Sequence, residues 1–396
     1  MESLFRTKLP KGFLAGGINS GIRLYRPDLG VIVLDKKAKA VGVFTKNKYK
    51  AAPVRYCMEL LPADNIKAII TNSGQANAAT GEIGVKHNKQ IVETLAQELR
   101  CSPEQVLIAS TGVIGQQMPI DKITAAIPRL TTSLSNIADK FALSILTTDL
   151  LPKSIHKKIK LSGGEITITG ICKGSGMINP NMATMLGYFL TDVDLDLNLA
   201  QQLLKDSTDN SFNMISVDGD MSTNDCVFML ANGASGVNLS SKADIEIFKQ
   251  ALHEIAIILA KSIARDGEGA TKLIEAKVNG LNDQTIAKEL AKKIISSPLV
   301  KTAIYGQSPN WGRVLAKIGE VEIDEETLAS CEIYIQGEKI FTQGLPVSYD
   351  LSNLKESMKE DTIGIDVTFS QGNENVTAWG CDLTEQYVDI NAGYLS

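Results

Sequence analysis

The chain has 396 residues, 44% of them hydrophobic and 21% charged, and a formal net charge of −5. That length allows two or three packed layers, and the composition is that of a globular protein. It carries no basic stripe and no block of like charges, which excludes a nucleic-acid footprint.

The opening residues, MESLFRTKLP, lack an apolar signal region, so no targeting segment is expected. The longest aliphatic stretch, Ile255–Ala260, falls far below the roughly 18 residues of a membrane span. Cys57, Cys101, Cys172, Cys226, Cys331 and Cys381 are scattered singly, without a CxxC. Neither a metal site nor a disulfide framework is expected, and a reducing cytoplasm is the natural setting.

Strand-like and helix-like segments alternate, which predicts an α/β fold. Ala68–Thr71 reads as a strand ending in Asn72, Ser73 and Gly74. Ile91, Val92, Leu95 and Leu99 then form a helical stripe, with His87 just ahead of it. Val106–Ala109 is a second strand, and Ser110, Thr111 and Gly112 read as the turn after it. The basic stretch Lys153–Lys160 (KSIHKKIK) reads as a solvated strand face. A hairpin follows, from Ile159 and Leu161 through a Gly163-Gly164 turn to Ile166 and Ile168.

In the second half, Ile245, Phe248, Leu252, Ile255 and Leu259 mark a long helix. Ser241 and Asp244 offer it a capping box, and Gly267 a left-handed cap. A further helix is expected from Asp283 to Ile295, stopped by Pro298, and a hairpin from Ile333 to Phe341 turning at Gln336-Gly337. A boundary near Gly280 would set off a smaller C-terminal α/β subdomain, about 280–396.

Chemistry centres on Lys173–Gly187, KGSGMINPNMATMLG. Up to Ala183 this is a loop of glycine, asparagine and proline. From Thr184 it becomes Met185, Leu186, Gly187, Tyr188, Phe189 and Leu190, a buried-strand pattern. Cleavage of the Ala183–Thr184 bond would give Thr184 a hydroxyl nucleophile and a free α-amine as its base. The residues alone leave open an ordinary threonine at the start of a strand. His87, His156 and His253 lie beside no turn-held nucleophile, and no GxSxG elbow occurs, which disfavours a Ser-His-Asp hydrolase. Asp218, Asp220, Ser222 and Asn224 imitate a calcium loop, but Thr223 and Met229 occupy its glycine and glutamate positions. A polar turn before the strand Cys226–Leu230 is the better reading. Lys173-Gly174-Ser175-Gly176 lacks the phosphate-loop spacing.

The sequence resembles a known family through PKGFLAGGINSGI (Pro10–Ile22), GVFTKN (Gly42–Asn47), NSGQANAATG (Asn72–Gly81), STGVIG (Ser110–Gly115) and TTDLLPK (Thr147–Lys153). The likeness continues through KGSGMINPNMATML (Lys173–Leu186), VDGDMSTND (Val217–Asp225), ARDGEGATK (Ala264–Lys272), SPNWGR (Ser308–Arg313) and the terminal NAGYLS. These motifs resemble the ArgJ family of arginine biosynthesis, the glutamate N-acetyltransferases or ornithine acetyltransferases.

The resemblance implies a layered α+β sandwich of the self-processing type that ArgJ shares with DmpA. It implies a precursor that cuts itself into an α chain, 1–183, and a β chain, 184–396, with both building the main domain. It further implies ping-pong transfer of acetyl from N2-acetyl-L-ornithine to L-glutamate through acetyl-Thr184. Thr111 and Gly112 would form the oxyanion hole. Thr147, Lys173, Thr184, Glu268, Asn391 and Ser396 would bind substrate, with Lys173 on a carboxylate and Glu268 on an ammonium. Ser396 stands where many members have threonine, and Met221 and Leu150-Leu151 replace commoner polar residues. No cofactor or metal is expected, although acetyl-CoA is a candidate co-substrate. The expected assembly is a heterotetramer of two α and two β chains, with no nucleic-acid or membrane partner. The competing readings are a related N-terminal-nucleophile amidohydrolase or aminopeptidase, and a non-catalytic binding protein of the same fold.

Overall fold

The most continuously apolar segments become strands covered on both faces. In the computed structural model, which describes residues 6–179 and 185–393, Leu186–Thr191 and Cys226–Ala231 are buried at every position, as strands between two layers must be. In chain order the strands are β1 (Phe13–Ile18), β2 (Leu29–Phe44), β3 (Ala63–Gln75), β4 (Val106–Val113), β5 (Lys153–Leu161), β6 (Gly164–Lys173), β7 (Leu186–Thr191), β8 (Ile215–Ser216), β9 (Cys226–Ala231), β10 (Leu273–Leu281), β11 (Glu332–Ile335), β12 (Glu338–Thr342), β13 (Leu345–Pro346), β14 (Thr362–Thr368) and β15 (Glu374–Cys381). One sheet runs β4-β3-β2-β9-β7-β6-β5, with β1 on β2; the other runs β13-β12-β11-β14-β10-β15-β8. The fold is the expected α/β layered sandwich.

Side-chain alternation along the central strands divides the core. Leu186, Tyr188, Leu190, Phe228 and Leu230 pack with β3, β4 and the helices Gly81–Glu98, Ile120–Thr131 and Asp139–Ser144. Phe189, Val227 and Met229 face the other way, into a core shared with the helix Lys242–Arg265 and the second sheet. The Tyr188 hydroxyl of β7 lies 2.8 Å from Thr71 Oγ1 of β3, a buried polar contact that ties the two arms of the first sheet together.

Several local expectations are met with small shifts. Phe248, Leu252, Ile255 and Leu259 are buried along the Lys242–Arg265 helix, and Ser241 Oγ accepts the Asp244 N–H. The Asp244 carboxylate does not complete the capping box; it accepts from the N–H and hydroxyl of Ser162 instead. Gly267 does not take the left-handed conformation: the helix ends at Arg265 with Asp266 as its C-cap, and the positive φ of this segment, +70°, is at Gly269. Glycine at 267 serves close packing, since a Cβ would meet Cys381 Sγ at 2.8 Å. The β5–β6 turn is Ser162–Gly163, one residue earlier than expected, because Leu161 pairs with Gly164. Gln336 and Gly337 both have positive φ, the type I′ geometry that suits a two-residue hairpin. Asp283 caps the helix Gln284–Ser296, and Pro298 opens a new helix, Pro298–Tyr305. His87 lies within the helix Gly81–Glu98, not ahead of it. Among the described residues no helix is long and apolar enough to cross a membrane.

Candidate active site

The Lys173 loop is held at both ends by the sheet. Lys173 closes β6 and pairs with Leu186, the first residue of β7. After Lys173 the chain is fixed by the Asp218 carboxylate, which accepts the N–H groups of Met177 (2.6 Å) and Ile178 (2.8 Å). Asp218 therefore makes the polar turn before β9 a support for this loop. Burial raises its pKa above the ordinary carboxylate value, against the lowering effect of the N–H donors from Asp220, Ile178 and Met177.

Thr111 and Gly112 stand on β4 itself, which extends to Val113, and not on a turn after it. β3 runs on in parallel beside them and supplies the pairings Ser73 with Thr111 and Gly74 with Gly112. Gly112 has φ +127°, and a Cβ there would meet the Gly74 carbonyl carbon at 2.3 Å. Conformation and approach both demand glycine. Across the cavity, Lys173 Nζ donates to Thr111 Oγ1 at 3.3 Å, and Lys173 is only 6% exposed.

Glu268 reaches the same space from the segment after the long helix. Its approach uses the missing side chain of Gly176, and its Oε2 accepts from Asn391 Nδ2 at 2.8 Å. Asn391 lies on the helix Glu385–Gly393, so the C-terminal region is tied to the site. A second tether is the bond from Thr384 Oγ1 to the Gly269 carbonyl, 2.8 Å. Thr147 completes the ring, its N–H bonded to Asp149 Oδ2 at 3.0 Å.

Thr111, Gly112, Thr147, Lys173, Glu268 and Asn391 thus line one cavity of about 180 Å³, together with Met177, Met185 and Leu186. That is smaller than the roughly 300–1,000 Å³ of drug-sized sites and suits an amino-acid-sized ligand. A lysine on one side and carboxylates on the other can hold the two ends of a zwitterion. Among the described residues no histidine lines this cavity. Ala183, Thr184 and Ser396 lie outside the described residues.

Two contributors escaped the sequence reading. Asp218, Asp220, Ser222 and Asn224, read as a simple polar turn, form a wall of the cavity. Asn224 Nδ2 also binds the Ala76 and Ser110 carbonyls, at 2.5 and 2.8 Å. Lys153, read as part of a solvated face, is only 5% exposed and pairs with Asp149 and Asp266. The available signal was the four-residue spacing of Asp149 and Lys153 inside the TTDLLPK motif. Burial alone would raise the pKa of Asp149, but Lys153, then Lys173, and hydrogen bonds hold it well below the carboxylate range.

The ArgJ family model matches residues 14–396. The chain is 44% identical over 397 residues to the arginine biosynthesis bifunctional protein ArgJ of Thermotoga neapolitana, covering 98% of this chain and 99% of that protein. It is 43% identical over 388 residues to the protein of the same description from Bacillus subtilis, covering 97% and 95%. The crystal structure of the arginine biosynthesis bifunctional protein argJ from Bacillus halodurans is 42% identical, with a TM-score of 0.50; the match covers 53% of this chain and 100% of that one.

Proposed function

The chain belongs to the ArgJ family and is an N-acetyltransferase of arginine biosynthesis, and from that premise we propose that it moves acetyl from N2-acetyl-L-ornithine to L-glutamate through Thr184. The carrying observation is the convergence of Thr111, Gly112, Thr147, Lys173, Glu268 and Asn391 on one cavity that Met185, the neighbour of Thr184 in the chain, also lines.

The precursor first cuts itself. The Thr184 hydroxyl attacks the Ala183 carbonyl, the acyl group shifts from nitrogen to oxygen, and water hydrolyses the ester. This frees the Thr184 α-amine, whose reference pKa of about 8 leaves a useful neutral fraction. In the first half-reaction that amine takes the hydroxyl proton as Thr184 Oγ1 attacks the acetyl carbonyl. Thr111 and Gly112 stabilise the oxyanion. Collapse breaks the amide C–N bond, and ornithine leaves with the proton. In the second half-reaction the neutral amine of glutamate attacks the acetyl ester, and Thr184 regains its proton as N-acetylglutamate departs. Lys173 pairs with the substrate carboxylate and Glu268 with the ornithine side-chain ammonium.

Self-cleavage has independent support. The solved relative's chain matches over its whole length yet covers 53% of this one, close to the share of residues 184–396, which are 213 of the 396. The proposed assembly is two α and two β chains, and native mass measurement tests it. Six unpaired cysteines suit the proposed cytoplasmic setting. Acetyl-CoA is proposed as a second acetyl donor, tested by acetylation of glutamate in the absence of acetylornithine.

On a denaturing gel the 42.7 kDa chain is expected to run as bands of about 20 and about 23 kDa, by residue share. Thr184→Ala should leave one band. Purified protein given acetylornithine and glutamate should release N-acetylglutamate and ornithine. Free acetate with no N-acetylglutamate would replace transfer with hydrolysis.

A further inference from the structure

Beneath the cavity lies a cluster of charges in which Lys153 and Asp266 serve no substrate directly. Lys153 Nζ sits 2.8 Å from Asp149 Oδ1 and 2.5 Å from Asp266 Oδ2, with Lys153 and Asp149 almost fully buried. Buried ion pairs are often no more stabilising than well-packed apolar residues of similar volume, so stability alone does not account for this arrangement. Its bonds to the backbone point to another role. Asp149 Oδ1 accepts the Gly174 N–H at 2.7 Å, and Oδ2 accepts the Thr147 N–H at 3.0 Å. Asp266 Oδ2 accepts the Leu150 N–H at 3.1 Å, and the Asp266 carbonyl accepts from Ser175 Oγ at 2.7 Å. The Ser175 carbonyl in turn accepts the Glu268 N–H at 3.2 Å. One charge cluster therefore joins the backbone beside Thr147, Lys173 and Glu268, residues from three separate segments.

We propose that Asp149, oriented by Lys153, is a positioning residue for acetyl transfer, its one carboxylate setting the Thr147 segment and the Lys173 loop at a fixed separation. The proposal rests on the functional reading above. Lys153 fixes the carboxylate's orientation from one side, and the two N–H donors use it from the others. The low proton affinity of Asp149 keeps both oxygens as acceptors through the working pH range. A shift of about 1 Å in catalytic groups can cost about 10²-fold in rate, so a loosened tether should be visible in turnover.

The test combines amide hydrogen exchange with steady-state kinetics on Asp149→Asn and on Asp149→Asn/Lys153→Met. The single variant keeps the Lys153–Asp266 ion pair and so leaves no charge of the cluster without a partner. The double variant also strips the largely buried Asp266 of its lysine and is the one at risk of not folding, so the single variant keeps the measurement decisive. Expected are faster exchange in peptides covering residues 146–150 and 173–178, with the helix Lys242–Arg265 unchanged. For acetylornithine, kcat/KM should fall by about 10²-fold, with KM raised and kcat lowered. A folded Asp149→Asn variant with wild-type exchange in both segments, or with kcat/KM within about twofold of wild type, would overturn the proposal. Wild-type protein that makes no N-acetylglutamate would instead bring down the functional reading and, with it, any positioning role in that reaction.

Discussion

Glu268 packs so tightly against Gly176 that a Cβ at residue 176 would lie 2.3 Å from Glu268 Oε1. The loop that carries Lys173 and the segment that carries Glu268 are therefore fitted to one another at a single missing side chain. The Lys173 and Glu268 side chains that they carry are themselves buried, at 6% and 7% exposure.

Gly176→Ala should push the Glu268 carboxylate away from Asn391 and from its place in the cavity. The expected result is a KM for acetylornithine raised about 10-fold, with a smaller fall in kcat, because Glu268 acts in substrate binding. Glutamate has no side-chain ammonium, so its KM should change less. Steady-state kinetics with each substrate varied in turn checks this, and equal effects on both would remove Glu268 from ammonium recognition.

Lys173→Met keeps much of the side chain's apolar length and removes its charge. Both amino-acid substrates carry an α-carboxylate, so kcat/KM should fall about 10²-fold for each. Lys173→Arg should recover little of this, since a planar guanidinium does not replace a compact ammonium in a buried slot. The thermal transition measured alongside should fall by a few degrees, because Lys173 gives up its 3.3 Å hydrogen bond to Thr111 and its charge near the buried Asp149.

What could be read from the sequence follows from how local each signal is. The helix Lys242–Arg265, the strand β7 and the Gln336-Gly337 turn are written in periodicity or in one dipeptide, and all three form where expected. Thr111 and Gly112 were misplaced onto a turn because β4 is prolonged by pairing with β3, a partner some 40 residues away that no local pattern reveals. Lys153 misled for a similar reason. Four lysines within eight residues look solvated, but Lys153 meets Asp266 from 113 residues further along. The site residues as a set came from the family resemblance, and the geometry adds the Asp218–Asp225 wall that neither periodicity nor the imperfect calcium motif explained.

Gly112→Ala tests the oxyanion assignment through the backbone. A Cβ at φ +127°, 2.3 Å from the Gly74 carbonyl carbon, forces β3 and β4 apart. Loss of one oxyanion donor costs about 10²–10³-fold in kcat, and a similar fall is expected here, with KM changed much less. The same tetrahedral chemistry operates during self-cleavage, so the uncut band should persist for longer on a time-course gel. Normal cutting with impaired turnover would show that the two reactions use different donors.

The buried carboxylates Asp149 and Asp218 should respond to acid in opposite directions. In the folded chain Asp149 is held below its ordinary pKa, against burial, by Lys153 and Lys173. Its contribution is therefore fully present above the unfolded value of about 3.9 and is lost as pH falls below it. At pH 3 the unfolded carboxylate is mostly protonated while the folded one is not, which removes about 1 kcal/mol of stability. Asp218 is raised by burial, so its charged form opposes folding above its folded pKa, and that cost is relieved as pH falls. Denaturant unfolding at pH 6 and pH 3 separates the two. The stability gap between wild type and Asp149→Asn should shift against wild type at pH 3, whereas any advantage of Asp218→Asn over wild type should shrink. A wild-type gap over Asp149→Asn that widens on acidification would mean that Asp149 is not held ionised by its lysines.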